Sequence, residues 1–142
     1  MKLYRQAHTV YKTQYHIVWV ARFRRKILVP GVASYLTTKL HEVRQYYPDW
    51  YFTAIGTDKD HVYLHMEIPP RYSVSAVVNI LKTNTSRALR AKFSFLNKVY
   101  WDQGGIWAKG FFVSTVGVNE ATITHYVQMQ GAEDAGQAQL EL

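Results

Sequence analysis

The chain alternates between two hydrophobic periods, and this alternation limits the folds that it can adopt. A run rich in β-branched and aromatic residues, TQYHIVWV, predicts a strand over residues 13–20. Pro30 then opens a segment in which apolar side chains recur every three or four positions up to Tyr47, which predicts an amphipathic helix that stops at Pro48. Both periods are satisfied when helices pack against one face of a sheet.

The same alternation continues along the rest of the chain. Residues 50–56 and 61–68 are predicted strands joined by the turn-forming TDKD, and Ser73 is a suitable N-cap for a second helix. Residues 106–116 predict a fourth strand, and Asn119 caps a final helix, EATITHYVQMQ. The order β-α-β-β-α-β-α predicts an α+β fold of the ferredoxin-like split β-α-β type, with an antiparallel sheet, helices on one face and an additional C-terminal helix.

Composition excludes several classes of protein. The 142 residues include no cysteine, so disulfides, thiolate metal sites and cysteine nucleophiles are ruled out. Length and a hydrophobic content of 48% fit one globular domain, which we place at residues 1–130, whereas the acidic residues 131–142 are predicted to form a flexible tail. No apolar run approaches the roughly 18 residues that a membrane span needs, so we expect a soluble protein.

The charge is strongly positive, at a formal +7, and this favours a polyanionic partner. Two clusters are candidates for contacts with phosphate groups: Arg22, Arg24, Arg25 and Lys26 in the loop after the first strand, and Lys82, Arg87 and Arg90 on the second helix. Such contacts supply salt-dependent affinity but no sequence information. A solvated basic surface with no role in nucleic-acid binding is the alternative interpretation.

His61, Tyr63 and His65 should project from the same face of the third predicted strand, since strand side chains alternate. Two histidines at positions i and i+2 could share one cation. Histidines at i and i+4 lie about 13 Å apart on a regular strand, too far for a common ion. His61 and His65 therefore form no metal pair by themselves, and ordinary hydrogen-bonded histidines are the alternative for both.

Thr122, Tyr126 and Gln130 recur at steps of four on the last helix and share one of its faces. A tyrosine on a helix usually serves packing. A phenol can also attack a phosphodiester when a divalent cation polarises the scissile phosphate. The spacing alone leaves both roles open for Tyr126.

Taken together, the motifs resemble the small single-tyrosine transposases of the Insertion Sequence 200/605 family. The segments that carry the resemblance are YKTQYHIVWVARFRRKIL, DKDHVYLHMEIPPRYSVSAVVNILK, SRALR, WDQGGIWAKGFFVSTVG and ITHYVQMQ. The resemblance implies DNA transposition, in which single-stranded DNA with hairpins is cleaved and rejoined through a 5′-phosphotyrosine intermediate with Mg²⁺ or Mn²⁺ as cofactor. It also implies a homodimer in the prokaryotic cytoplasm, associated with the nucleoid when bound to DNA.

Carried over residue by residue, the resemblance makes Tyr126 the nucleophile and makes His61 and Gln130 metal ligands. Extruded bases could stack on aromatic residues such as Phe23 or Tyr72. The Tyr-bearing helix of one subunit can complete the metal site of the other in such proteins. The long apolar strand predicted over residues 106–116 is compatible with pairing across a dimer, although burial under a helix would explain it as well.

Tyr63 stands where the family has its second metal-binding histidine. A neutral phenol, with an ordinary pKa near 10, is a poorer ligand than imidazole. Three interpretations are open: Tyr63 ligates as a phenolate, His65 or Asp60 compensates through a local irregularity, or the metal site is damaged. We predict an active transposase with reduced metal affinity. The alternative is a catalytically impaired protein that retains binding to hairpin DNA or RNA.

Overall fold

A computed structural model describes residues 3–6, 9–102, 104–117 and 119–134. The strands are β1 (Tyr4–Gln6), β2 (Thr9–Tyr11), β3 (Gln14–Val20), β4 (Tyr51–Thr57), β5 (His61–Glu67) and β6 (Phe112–Ser114). The helices are α1 (Pro30–Glu42), α2 (Val74–Lys92), α3 (Phe95–Val99) and α4 (Glu120–Asp134). Within the described ranges no helix is long and apolar enough to cross a membrane.

The central sheet has four strands in the order β4-β5-β3-β6, and every neighbouring pair is antiparallel. Strand β5 therefore lies between β3 and β4, which helix α1 connects along the chain. This is the split β-α-β arrangement, so the predicted α+β ferredoxin-like fold is confirmed. The N-terminal strands β1 and β2 pair with each other in a separate hairpin that the sequence analysis did not predict.

The hydrophobic core lies between the sheet and helices α1 and α2. Alternate residues of the two central strands are fully buried on this face: Ile17 and Trp19 of β3, and Val62, Leu64 and Met66 of β5. The helices contribute Leu36, Leu40, Leu81 and Leu89 to the same cluster. Each such side chain stabilises the fold by roughly 1.5–3 kcal/mol on burial. The intervening strand residues are left to form the second face of the sheet.

Both predicted helix caps are present. The Ser73 hydroxyl accepts a hydrogen bond from the backbone N–H of Ala76 at 3.1 Å, and α2 begins directly after this cap. The Asn119 side chain accepts from the backbone N–H of Thr122 at 2.8 Å, which starts α4. Each side chain satisfies a backbone donor that has no partner within its helix.

Helix α4 continues to Asp134. The first four residues of the predicted tail, 131–134, are therefore helical, because the helix passes through Gly131 without a break. The remaining tail residues, 135–142, lie outside the described part of the chain.

The prediction of a long fourth strand over residues 106–116 is wrong in its length, since β6 has only three residues. The Lys82 ammonium donates hydrogen bonds to the backbone carbonyls of Ala108 at 2.7 Å and Gly110 at 2.8 Å. Gly110 has a φ of +79°, a left-handed conformation that interrupts an extended strand and that glycine adopts without steric cost. Before Gly110 the chain still runs beside the end of β3, where Ala21 forms an antiparallel bridge with Trp107.

Candidate active site

The candidate residues of β5 lie on the second face of the sheet, as their alternation predicts. In the register with β3, His61 is opposite Val20, Tyr63 is opposite Val18, and His65 is opposite His16. Val18 is also opposite Phe112 of β6. Directly opposite residues project to the same side of an antiparallel sheet. His61, Tyr63 and His65 thus share one face with residues of β3 and β6.

Helix α4 covers one end of this face. Val127 is buried against Val20 and Ala108, and Ile123 and Tyr126 pack around the same small cluster. The ring of Tyr126 lies 5.8 Å from the ring of Phe112, centroid to centroid, with the planes tilted by 48°. Tyr126 is therefore half-buried on the same side of the sheet as His61.

A cavity of about 160 Å³ separates α4 from the start of β5. The residues that line it are Arg24, Asp58, Asp60 and His61 from the sheet side, and Thr124, Val127 and Gln128 from α4. We call it the His61 cavity. The helix that carries Tyr126 thus borders His61 within one chain. Tyr126 and Gln130 are not among its described lining residues, and Gln130 is only 6% exposed.

His61 is held in a defined orientation by Asp60. The Nδ1 atom of His61 lies 2.9 Å from Oδ1 of Asp60, and Oδ2 of Asp60 accepts a hydrogen bond from Nε of Arg24 at 3.3 Å. A carboxylate at Nδ1 leaves Nε2 as the ring nitrogen available to a ligand, as in many metal-binding histidines. Asp60 was one of the replacement ligands that the sequence left open, whereas in the structure its carboxylate orients the imidazole.

Tyr63 is engaged by a histidine that the sequence analysis did not single out. Its hydroxyl lies 2.6 Å from Nδ1 of His16, and the His16 ring stacks on His65 with centroids 4.3 Å apart and planes 6° from parallel. Burial raises the pKa of Tyr63 above its ordinary value. The phenol of the protein alone therefore stays neutral at physiological pH, and its hydroxyl is already engaged by His16.

His65 lies too far along β5 from His61 for the two imidazoles to bind one ion. The pairing of β3 with β5 runs without interruption from Gln14–Glu67 to Val20–His61, so no irregularity shortens the separation of His61 and His65. Across the described parts of the chain, no group of three histidine, aspartate or glutamate side chains is arranged to hold a metal ion. The donor set therefore offers a single oriented imidazole, which fits a weakly held cation.

The loop between β3 and α1 contacts α4 and Asp60, the residue directly before β5, through the side chain of Arg24. Phe23 and Arg24 have positive φ angles of 60° and 52°, a left-handed conformation that costs roughly 1–2 kcal/mol per residue. The Arg24 side chain packs so closely on Gly131 of α4 that a methyl group at position 131 would overlap it. The contacts of Arg24 with Asp60 and Gly131 hold this loop against the His61 cavity.

Several of the basic residues predicted to bind phosphate groups make contacts inside the fold. Arg22 forms a bidentate ion pair with Asp102 at 2.6 and 3.0 Å, which lowers the pKa of Asp102 below its ordinary value. Arg90 donates to the Asn97 side chain and to the carbonyl of Gly104. Arg24 and Lys82 are engaged as described above. The exposed members of the set are Arg24, Arg25, Lys26 and Arg87, and of these Arg24 is paired with Asp60.

Comparison with known proteins decides the family. A sequence model described as "Transposase IS200 like" matches residues 9–130. The chain belongs to the IS200-like transposases. The transposase of insertion sequence element IS200 from Salmonella typhimurium is 31% identical over 139 residues, which cover 96% of this chain and 88% of that protein. The ISDra2 transposase TnpA of Deinococcus radiodurans is 27% identical over 122 residues, 85% of this chain and 86% of that one.

Solved structures agree with this assignment to the IS200-like transposases. The crystal structure of a protein described as a transposase, from Deinococcus radiodurans, superposes with a TM-score of 0.77 at 27% identity, covering 92% of this chain and 98% of the other. A REP-associated tyrosine transposase bound to a REP hairpin gives a TM-score of 0.54 at 16% identity, with coverages of 99% and 76%. The second likeness shows a shared fold.

The pH dependence of stability in this IS200-like transposase is expected to report on His16. Burial, together with the charge of His65, holds the pKa of His16 below its ordinary value of 6.5. The unfolded chain therefore binds protons more readily than the folded protein below about pH 6.5, so the free energy of unfolding should decrease from neutral pH to about pH 5.5. Urea unfolding curves recorded across this pH range in the presence of EDTA measure the free energy of unfolding. His16→Gln should reduce the decrease, and the exposed control His41→Gln should not; equal pH profiles for both variants would contradict this expectation.

Lys82 of the IS200-like transposase is expected to affect folding stability. Lys82→Met removes the ammonium from the carbonyls of Ala108 and Gly110 and should lower the free energy of unfolding by roughly 1–3 kcal/mol. Arg87→Met on the exposed part of the same helix is the matched control, and its stability should change by less than about 0.5 kcal/mol. Equal urea midpoints for the two variants would show that the Lys82 contacts contribute little.

Proposed function

We propose that this transposase cleaves and rejoins single-stranded DNA with Tyr126 as the nucleophile. The phenol oxygen attacks the phosphorus of a phosphodiester and loses its proton, while the bond from phosphorus to the 3′ oxygen breaks and that oxygen takes up a proton. The products are a 5′-phosphotyrosine ester and a free 3′-hydroxyl. Because the ester conserves the phosphodiester bond energy, a second 3′-hydroxyl can reverse the reaction and join a new strand without ATP.

The observation that carries this proposal is the common location of Tyr126 and His61. Both residues are on the second face of the sheet, and the helix of Tyr126 borders the His61 cavity through Thr124, Val127 and Gln128. The ring of Phe112, on β6, packs against the ring of Tyr126. A phosphate group that entered between α4 and β5 would meet the imidazole from the sheet and groups from the helix.

A divalent cation, Mg²⁺ or Mn²⁺, would polarise the scissile phosphate and neutralise its developing charge when bound. His61 is its proposed imidazole ligand, since Asp60 occupies Nδ1 and leaves Nε2 available. Gln130, one turn of α4 after Tyr126, is the proposed amide ligand. The Tyr63 hydroxyl is hydrogen-bonded to His16, so we expect the protein to bind the cation weakly. Phosphate oxygens and water, which Mg²⁺ commonly keeps as ligands, would complete its coordination.

The proposed substrates are the hairpin-containing ends of an insertion sequence. A structural neighbour of the same fold is bound to a REP hairpin, and Arg25, Lys26 and Arg87 present exposed positive charge to a nucleic-acid backbone. We further propose that the protein acts as a homodimer in the prokaryotic cytoplasm, associated with the nucleoid when bound to DNA. Exchange of α4 between subunits would also bring Tyr126 to a partner's His61.

The test is the formation of a covalent adduct. The protein is incubated with single-stranded hairpin DNA and Mg²⁺ or Mn²⁺, and denaturing gels should show a protein–DNA adduct that EDTA prevents. Mass spectrometry of the digested adduct should locate the nucleotide on the peptide that contains Tyr126. An adduct on any other residue, or cleavage that leaves a 5′-phosphate without an adduct, would contradict the proposal.

A second candidate function is hairpin binding without cleavage, and the contact of Tyr63 with His16 favours it. A site with one imidazole could bind too little metal for chemistry while the basic surface continues to bind nucleic acid. Tight hairpin binding with no adduct at any concentration of Mg²⁺ or Mn²⁺ would support this alternative. Preferential binding to hairpin RNA over matching DNA would extend it to RNA.

A further inference from the structure

A second cleft lies beside helix α3, on the other side of the loop that borders the His61 cavity. It has a volume of about 420 Å³. Its walls include Arg25, Lys26, Phe95, Lys98, Val99 and Trp101. We call it the Trp101 cleft. Arg24 lines the His61 cavity and its neighbour Arg25 lines the Trp101 cleft, so the two sites meet at adjacent residues of one loop.

Trp101 is the feature of this cleft that its packing does not explain. It is 80% exposed, whereas Trp19 and Trp50 are fully buried and Trp107 is 7% exposed. Phe95, on the same wall, is exposed as well. Large aromatic rings that are grouped at a surface usually mark a binding site, because leaving them in water forgoes the free energy of burying them.

The charges around Trp101 indicate what kind of ligand would cover it. Arg25, Lys26 and Lys98 contribute three cations to the walls, and the described residues that line the cleft include no acidic side chain. The neighbouring carboxylate, Asp102, is held by Arg22. A ligand that matches this cleft combines a flat apolar group with negative charge on both sides of it. Unpaired nucleotides have this combination.

We propose that the Trp101 cleft binds an unpaired base of single-stranded DNA, with the base stacked on Trp101 and the flanking phosphates bound by Arg25, Lys26 and Lys98. The inference rests on the proposed action on single-stranded DNA and adds a binding site to it. Bases inside a duplex are already stacked on each other and do not reach such a ring. Since adjacent residues of the same loop line both sites, we place the stacked nucleotide on the same single strand as the scissile phosphate.

The experiment separates stacking from charge with two probes of equal length. One is oligothymidylate, and the other has the same phosphates but an abasic site at every position. Fluorescence anisotropy is measured with the Tyr126→Phe protein, so that cleavage does not interfere. We expect oligothymidylate to bind about tenfold more tightly than the abasic strand. Trp101→Ala should remove this preference, and Trp101→Phe should retain most of it.

Two controls identify the cleft as the source of the effect. Tyr46 is also 80% exposed but lies outside the cleft, so Tyr46→Ala should leave both affinities unchanged. Arg25→Gln should reduce the affinity for both probes to the same degree, and it should reduce the dependence of this affinity on salt concentration. Both substitutions are at exposed positions, and thermal unfolding curves verify that each variant remains folded.

The possible results distinguish this inference from the proposed function. If Trp101→Ala reduces the affinity for both probes equally, or changes neither affinity, the stacking site is rejected. The proposed chemistry at Tyr126 then still stands. If the protein binds neither probe and forms no adduct with hairpin DNA, both proposals are rejected. A preference for oligothymidylate that disappears only in Trp101→Ala supports the stacking site, whatever the result of the cleavage assay.

Discussion

Replacing Tyr126 with phenylalanine is expected to abolish formation of the covalent DNA adduct, with a loss of rate greater than roughly a thousandfold. The substitution removes the attacking oxygen and keeps the ring that packs on Phe112 and next to Val127. Affinity for hairpin DNA should therefore stay within about twofold of the wild-type value, because transition-state stabilisation is lost while ground-state binding is retained. Single-turnover cleavage and a filter-binding titration measure the two quantities.

The matched control for this prediction is Tyr46→Phe, which removes a phenol oxygen from an exposed tyrosine directly after the 3-10 turn that follows α1. Its cleavage rate should equal that of the wild type. Adducts that persist in Tyr126→Phe would identify a different nucleophile and reject the mechanism. Unchanged thermal unfolding of Tyr126→Phe excludes loss of the fold as the reason for inactivity.

Tyr63→His is expected to increase affinity for Mn²⁺ by at least roughly tenfold and to raise metal-dependent cleavage at limiting metal concentration. His61 and a histidine at 63 would project from one face of β5 at neighbouring positions of that face, so both imidazoles could bind one ion. In the natural chain this position is occupied by a neutral phenol bonded to His16. Isothermal titration calorimetry measures the affinity without reference to activity.

Two further variants make this test specific. His61→Gln introduced into the Tyr63→His protein should remove the added affinity, because Asp60 orients the His61 imidazole toward a ligand. Position 63 is also two residues from His65, so His65→Gln in the same background tests that second pair: retained affinity assigns the ion to His61, and lost affinity assigns it to His65. The loss of the bond from Tyr63 to His16 should cost about 1 kcal/mol, which the unfolding midpoint will show. Unchanged Mn²⁺ affinity in Tyr63→His would place the metal site elsewhere.

The sequence was sufficient where local patterns decide the structure. The apolar period after Pro30 predicted α1, and the Ser73 and Asn119 caps marked the starts of α2 and α4. It failed at residues 106–116, because Gly110 interrupts the extended backbone with a φ of +79° and the Lys82 ammonium binds the carbonyls of Ala108 and Gly110 around this break. The apolar pattern of the segment contains no information about that contact, which only the packed helix α2 can provide.

The candidate site, too, could be predicted where it depends on local sequence and not where it depends on contacts between distant segments. Period-two alternation placed His61, Tyr63 and His65 on one face, since that property depends on a single strand. The position of His16 opposite His65 depends on the register of two strands, which the sequence does not specify. The exposure of Trp101 could not be foreseen either, because an isolated tryptophan is usually predicted to be buried. The role proposed for Tyr126 came from the family resemblance and not from the helix spacing.

The anchoring of Lys82 bears on how a mutational survey of this protein should be read. One of the carbonyls that it holds belongs to Ala108, and Ala108 packs against Val127 of α4 in the cluster that also includes Ile123 and Tyr126. Neutralising Lys82 would therefore disturb the packing around the proposed nucleophile, Tyr126, even for a substrate that remains fully bound. A screen that scored only transposition frequency would assign this lysine to DNA recognition, although its contacts in the structure support the packing of Ala108 against α4.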